Sequence, residues 1–428
     1  MNVAVIGGGY AGMAAAVTLA ERRVPVTVFE AARILGGRAR RVEHRDLALD
    51  NGLHILIGAY SETLRLMRLV GADPERLLLR VPLQWRIHER FSLKAASLPA
   101  PLHLLAGLAA ASGASLAERL AAARFVIRMR RQGYVLEHDT TVATLLRRNA
   151  QGERMTRLLW QPLCISALNT PPGKASAQAF LNVLRDSLDA HRAASDLLLP
   201  RADLSRLFPE PAADYVRARN GEVLCGQRVT GIDESGDGFA VHCGDGARAF
   251  SHVVCALPPY HAGAFLIGSS ALAEIAETVG QFDYQPIYSV YLNYPPQVRL
   301  PEPMLGFESG LLQWAFDRGA LGGQHGTIGM VISAEGPHQN LAQDELGRLV
   351  HRELQHQLGA LPEPQWCRVI AEKRATITCA PDLRRPETRT PLRNFLLAGD
   401  YVASDYPATL ESAVRSGVAA ARAILGTT

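Results

Sequence analysis

Apolar positions along this chain fall into two rhythms. Short unbroken runs at residues 3–6, 26–29, 253–257 and 395–397 read as buried strands bounded by turn residues. Leu/Ala-rich stretches with interspersed polar residues read as helices, one over residues 13–22 and others through most of 85–200. Between Asn220 and Pro259, Val223, Val229 and Ile232 alternate with polar residues as a half-buried strand does. Residues 239–242 add another strand, with turns at Asp237-Gly238 and Asp245-Gly246. Further strand-like runs occupy 287–294, 311–316, 327–333 and 369–377. There is no internal repeat and no low-complexity linker.

Length and composition narrow the classes. A chain of 428 residues predicts two or three lobes. With 48% hydrophobic and 20% charged residues it buries a large core, which excludes a disordered chain and a small disulfide scaffold. A net charge of +4 is too weak to argue for nucleic acid. Lysines are confined to Lys94, Lys174 and Lys373, so arginine supplies nearly all the basic charge. The six cysteines form no C-x-x-C pair and have no His at zinc spacing, so free thiols in a reducing compartment and no metal site are expected.

Met1 and Asn2 lead straight into the first strand without a basic leader, and a cytoplasmic protein is expected. The longest uncharged run, 95–117, is interrupted by Pro99, Pro101, Gly107 and Gly113, poor choices for a spanning helix. Arg119, Arg124, Arg128, Arg130 and Arg131 follow, with Leu120, Phe125, Val126 and Ile127 between them. That pattern suits peripheral contact with an anionic inner-membrane surface, and equally a lobe of buried helices with solvated arginines.

The chemistry begins at the first strand. Gly7, Gly9 and Gly12 stand in G-x-G-x-x-G spacing between strand and helix, and a second strand ends in Glu30. Gly7 permits the tight turn, Gly9 lets backbone approach a pyrophosphate, and Gly12 lets the helix pack on the sheet. The amides of the helix start, around Ala11, face the phosphates. Glu30 can accept hydrogen bonds from ribose hydroxyls. Gly36, Gly37 and Arg38 then form a second glycine turn with an arginine able to neutralise the pyrophosphate. A nicotinamide dehydrogenase has no need of that second turn, whereas the longer flavin dinucleotide does. The expected cofactor is FAD.

Glu30-Ala31 followed by Gly36-Gly37-Arg38 resembles the signature of the FAD-dependent amine oxidase and phytoene desaturase superfamily. The far end agrees: residues 395–398 lead into Gly399-Asp400, and residues 407–417 resemble the family's last helix. The resemblance implies a role for Asp400 at the ribityl or pyrophosphate region. It places the backbone of Thr409 and Leu410 at the flavin pyrimidine, the backbone at Val229 near the adenine, and Asn51-Gly52 near the flavin. It also implies that residues 253–259 close the sheet. The fold so implied is α/β: a discontinuous Rossmann-like FAD-binding domain (1–84, 201–265 and 376–428) interleaved with an α+β substrate domain (85–200 and 266–375).

Residues 160–172, with Asp50-Asn51-Gly52-Leu53-His54 and residues 372–376, resemble the squalene-associated FAD-dependent desaturases, the hydroxysqualene dehydroxylases of bacterial hopanoid synthesis. That resemblance implies reductive loss of an allylic hydroxyl from hydroxysqualene, giving squalene. It also implies an apolar tunnel, and a squalene-synthase-like enzyme as a possible substrate donor. His54 is the first candidate to protonate the departing oxygen, since its intrinsic pKa suits proton transfer. Tyr406 is the second. Trp160, Tyr291, Trp314 and Phe316 are candidates for lining the tunnel, and Cys164 reads as lining too. A polyene desaturase and a non-catalytic isoprenoid escort protein remain alternatives. Amine oxidation is disfavoured: many amine oxidases hold a water at the flavin with a lysine, and residues 287–294 offer none, leaving only Lys373 late in the chain.

Overall fold

The computed structural model describes residues 1–426 apart from 245, 267, 268 and 309. The turn expected at Asp245 lies outside the described residues. Five strands form one parallel sheet, in the order Glu222–Cys225, Val26–Glu30, Val3–Ile6, His252–Cys255 and Phe395–Leu397. Parallel strands covered on both faces must be apolar throughout, which explains the unbroken runs. Side chains alternate across the sheet. Val3 and Val5 pack with the helices Tyr10–Glu21 and Leu410–Leu425 on one face. Ala4 and Ile6 pack on the other face with Phe239, Val241 and Phe250, from the antiparallel strands Val229–Ser235, Gly238–Cys243 and Gly246–Phe250.

The sheet therefore draws its strands from three separated parts of the chain. The first and last helices seal the arrangement. At Gly417 an added Cβ would lie 2.1 Å from the carbonyl oxygen of Ala11, so only glycine lets these two helices approach so closely. The strand His252–Cys255 does not close the sheet as expected. It lies inside, between Val3–Ile6 and Phe395–Leu397, and the edges are Glu222–Cys225 and Phe395–Leu397.

A second sheet has seven strands, in the order Trp366–Ile377, Tyr284–Asn293, Thr327–Ser333, Trp314–Asp317, Met304–Gly306, Gln84–Ile87 and Phe91–Lys94. The last two correct the helical reading of 85–200. Their signal was period-2 alternation, with Phe91 and Leu93 buried and Lys94 exposed. The strand expected at 311–316 is Trp314–Asp317, and Met304–Gly306 was not foreseen. Helices including Leu102–Ala110, Leu116–Arg131, Gln161–Leu168 and Ala177–Leu184 cover one face of this sheet. The helix Gln343–Leu358 covers the other. Among the described residues, no helix is long and apolar enough to cross a membrane.

Candidate cofactor and substrate site

Three strands of the parallel sheet end at one edge in the expected motifs: Val3–Ile6 in Gly7, Val26–Glu30 in Glu30, and Phe395–Leu397 just before Gly399-Asp400. Ligands in open α/β sheets bind at this edge. Gly7 has φ +109°, and an added Cβ would lie 2.7 Å from the oxygen of Ala256. At Gly12 an added Cβ would lie 1.9 Å from the oxygen of Gly7. Both glycines are demanded by the protein's own packing.

Gly9 is different. Its φ is −78°, and an added Cβ would meet nothing nearer than 3.8 Å. The fold itself tolerates a side chain there, so the space above Gly9 fits a bound group brought against bare backbone. The helix Tyr10–Glu21 starts at Gly9 with no side chain capping its amides. Uncapped amides beside a glycine cradle match a pyrophosphate.

The second glycine turn is tied to the first. Gly36 N–H donates to the Gly8 carbonyl at 2.9 Å. Glu30 accepts from Gly8 N–H and Ala32 N–H, both at 2.7 Å, which aims its carboxylate along the turn. Ala31 is exposed beside it. Gln227 N–H donates to the Glu30 carbonyl at 2.9 Å and brings the buried Val229 to this end.

The two ends of the chain meet at Arg38. Its Nη2 donates to Asp400 Oδ1 at 2.6 Å and its Nη1 to the Ala375 carbonyl at 2.7 Å. Asp400 raises the guanidinium pKa even against desolvation, so the arginine stays charged. Gly399 N–H donates to Ser416 Oγ at 2.8 Å, joining this acid to the last helix. Tyr260, whose phenol is pushed up by burial, lies within reach of the charges of Arg38, Glu372 and Asp400. The guanidinium of Arg374 sits 4.0 Å from the Tyr260 ring centroid. Tyr260 was not foreseen; on sequence it is one residue after a Pro-Pro turn.

The loop after the strand Leu47–Asp50 carries the proton-donor candidate. Asn51 Nδ2 donates to the Arg38 carbonyl at 2.9 Å and to Glu372 Oε2 at 3.3 Å. Gly52 has φ +95°, and its carbonyl lies 2.8 Å from His54 Nδ1. A carbonyl only accepts, so Nδ1 carries the proton and Nε2 keeps a lone pair. Burial pushes His54 below its ordinary pKa, and the charge of Arg38 pushes the same way. Leu53 and Ile55, on either side, pack against the apolar cluster between the second sheet and its helices.

At the last helix, Thr409 is the N-cap, and its side chain accepts from Ser412 N–H at 3.2 Å. Leu410 begins the helix, half-buried. The neighbouring Glu411, buried and also unforeseen, accepts from Glu62 N–H, Thr63 N–H and Thr63 Oγ1 at 3.0, 3.0 and 2.7 Å, and from Arg415 Nε at 2.8 Å. It caps the helix Ser61–Leu69. Tyr406 lies against Arg415, whose guanidinium is 5.0 Å from its ring centroid. Burial, then Asp186, pushes its phenol up to about 12.

Trp160, Cys164, Trp314 and Phe316 share one apolar cluster with Leu53 and Ile55 at its margin. Trp160 donates to Gln151 Oε1 at 2.8 Å and stacks edge-on with Phe125. Trp314 donates to Ser166 Oγ at 3.1 Å and stacks edge-on with Trp85. Burial pushes the Cys164 thiol well up, leaving it unreactive. Tyr291 is placed otherwise: fully buried, its hydroxyl is bonded to the backbone of Asp50. Lys373 is exposed.

With this geometry in hand, the likeness to known proteins is informative. The chain is 28% identical to a hydroxysqualene dehydroxylase of Zymomonas mobilis, covering 97% of each chain. It is 28% identical to one of Rhodopseudomonas palustris, covering 99% of this chain and 98% of the relative. A probable zeta-carotene desaturase of Synechococcus elongatus is 22% identical over 99% of this chain and 98% of its own. Among solved structures, an oxidoreductase from Methanosarcina mazei superposes with a TM-score of 0.79 at 15% identity, covering 100% of both chains. Cyclohexylamine oxidase from Brevibacterium oxydans superposes with a TM-score of 0.69 at 17% identity, covering 99% of this chain and 98% of its own. Residues 10–425 match the family of flavin containing amine oxidoreductases, and the chain belongs to that family.

Proposed function

We propose that this flavoprotein is a hydroxysqualene dehydroxylase of hopanoid synthesis. One observation carries the reading: the loop bearing His54 is bonded to Arg38 on one side and packed against the aromatic-rich apolar cluster on the other. Such a junction suits a hydrocarbon presented to the flavin. The full-length relatives named hydroxysqualene dehydroxylase support the substrate. The carotenoid desaturases, at 22–24% identity, fit less well.

FAD fits the residues present, which cradle a pyrophosphate at Gly9 and offer a carboxylate at Glu30. Arg38 and Asp400 would hold its middle, and the backbone at Thr409 and Leu410, where the Leu410 amide begins the last helix, its pyrimidine end. When bound and reduced it supplies hydride. The chain's own residues do the rest. Burial of the isoprenoid in the apolar lobe supplies binding at about 25 cal/mol per Å². The same lobe keeps water from an allylic cation. His54, protonated at Nε2, gives its proton to the allylic hydroxyl, which leaves as water. The cation left behind is what hydride from bound, reduced FAD would convert to squalene. A donor with a lowered pKa is a stronger acid but is less often protonated. The rate should therefore fall as pH rises through a midpoint below 6.5.

The protein works peripherally on the cytoplasmic face of the inner membrane. Apart from Met1, the exposed large apolar residues among the described residues all lie between 98 and 135: Leu98, Leu102, Leu116, Leu120, Ile127 and Val135. Arginines of the helix Leu116–Arg131 accompany them. Substrate arrives there, handed over by a squalene-synthase-like enzyme.

The test is anaerobic incubation of photoreduced protein with hydroxysqualene. Squalene should form in step with flavin reoxidation. A product obtained only from oxidised protein and a more saturated chain would overturn the reading in favour of desaturation.

A further inference from the structure

We infer that Tyr291 and Ser289 are positioning residues for His54, acting through the loop that carries it. The inference rests on the reading that His54 is the proton donor. Both side chains come from the strand Tyr284–Asn293, two residues apart and so on the same face. The Tyr291 hydroxyl donates to the Asp50 carbonyl at 2.9 Å and accepts from Asp50 N–H at 3.0 Å. Ser289 Oγ accepts from Leu53 N–H at 3.3 Å. The two contacts bracket Asn51 and Gly52, and the Gly52 carbonyl orients His54.

A third tether acts in the same place. Glu372 pairs with Ile287 across the adjoining strand, and its carboxylate accepts from Asn51 Nδ2. The tyrosine is built in. Its cross-strand partner is Gly329, where an added Cβ would lie 3.2 Å from the Tyr291 ring and 2.8 Å from Leu53 Cδ1. Glycine there makes room for the ring and for the loop it holds. A phenylalanine would fill the same ring volume, so packing alone does not call for the hydroxyl. A hydroxyl with no exposure needs partners, and here its partners are both backbone groups of one loop residue. The substrate sheet thereby fixes where the imidazole stands relative to the cofactor edge.

The experiment compares Tyr291→Phe and Ser289→Ala with Tyr288→Phe, which lies on the opposite face beside His338. The flavin-loaded proteins are labelled at histidine 13Cε1, with His54 assigned through His54→Gln. Tyr291→Phe should move the His54 titration up toward 6.5 as the loop loosens and admits water. It should also lower kcat per bound flavin by about 10- to 100-fold, with KM within about twofold. Ser289→Ala, which removes one contact and keeps the fold, should move both in the same direction by less. Tyr288→Phe should move neither. An unchanged His54 titration and unchanged kcat in Tyr291→Phe and Ser289→Ala would overturn the inference. So would changes reproduced in full by Tyr288→Phe. If the wild-type protein leaves hydroxysqualene untouched while Tyr291→Phe still shifts the His54 titration, the positioning stands and the proposed function falls.

Discussion

Gly9 and Gly12 stand three residues apart, and an alanine at each should act in opposite ways. At Gly12 the new methyl carbon would lie 1.9 Å from the Gly7 carbonyl oxygen, where ordinary contact begins at 3.4 Å. The helix would have to retreat by the difference, 1.5 Å, and the clashing atom is backbone. Overpacking costs about 1–3 kcal/mol and occasionally more, and a backbone clash belongs at the top of that range. At Gly9 the same carbon meets nothing within 3.8 Å, and φ is −78°, so alanine is unstrained. Lower unfolded-chain entropy should stabilise the flavin-free protein by about 0.4–1 kcal/mol.

The cost of Gly9→Ala should fall on the cofactor. A methyl group between backbone and pyrophosphate separates the phosphates from the helix amides. Losing one or two charge-assisted hydrogen bonds, each about 1.5–3 kcal/mol, weakens FAD binding about tenfold to ten-thousandfold. Urea unfolding of flavin-free protein gives the first quantity, and quenching of FAD fluorescence gives the second. Gly9→Ala should be at least as stable as wild type yet bind FAD poorly, while Gly12→Ala should lose stability itself. If Gly9→Ala binds FAD as wild type does, the cradle has been misplaced.

Three further outcomes are expected. His54→Ala should stay yellow and turn over about 10²–10⁴-fold more slowly, and unchanged turnover would remove His54 from the mechanism. Burial holds the Asp50 carboxyl at about 6, against the opposing pull of Arg318 and Leu204 N–H, so the folded state takes up this proton before the unfolded state. Its stabilising contribution is full well below the unfolded value of 3.8 and is lost as pH rises through about 6, so wild type should gain about 2 kcal/mol relative to Asp50→Asn between pH 7 and 4; a flat difference in urea unfolding would refute it. Glu411→Ala takes the carboxylate from Arg415, which keeps its bond to Ser61 Oγ, and leaves two helix amides without an acceptor, which should cost about 1–3 kcal/mol in urea unfolding, with Glu411→Gln recovering part of the loss.

Sequence alone determined the buried strands and the glycine-rich turn after the first of them, because both are local. Unbroken apolar runs mark strands buried on two faces, and Gly7, Gly9 and Gly12 answer to constraints within a few residues of one another. The second sheet was legible where the runs were long, as at Thr327–Ser333, and blurred at Gln84–Ile87 and Phe91–Lys94, where four-residue strands sit beside helices.

Only the tertiary structure decided what each polar side chain does. Arg38 and Asp400 are 362 positions apart, Thr63 and Glu411 348, and Asp50 and Tyr291 241. Nothing near Tyr291 in the chain distinguishes a residue lining a tunnel from one clamping a loop. The reason is physical. A hydrogen bond depends on tenths of an ångström between atoms, and those positions are set by the path of the whole chain. Apolar burial needs only a face and a period, and these are written in the order of the residues.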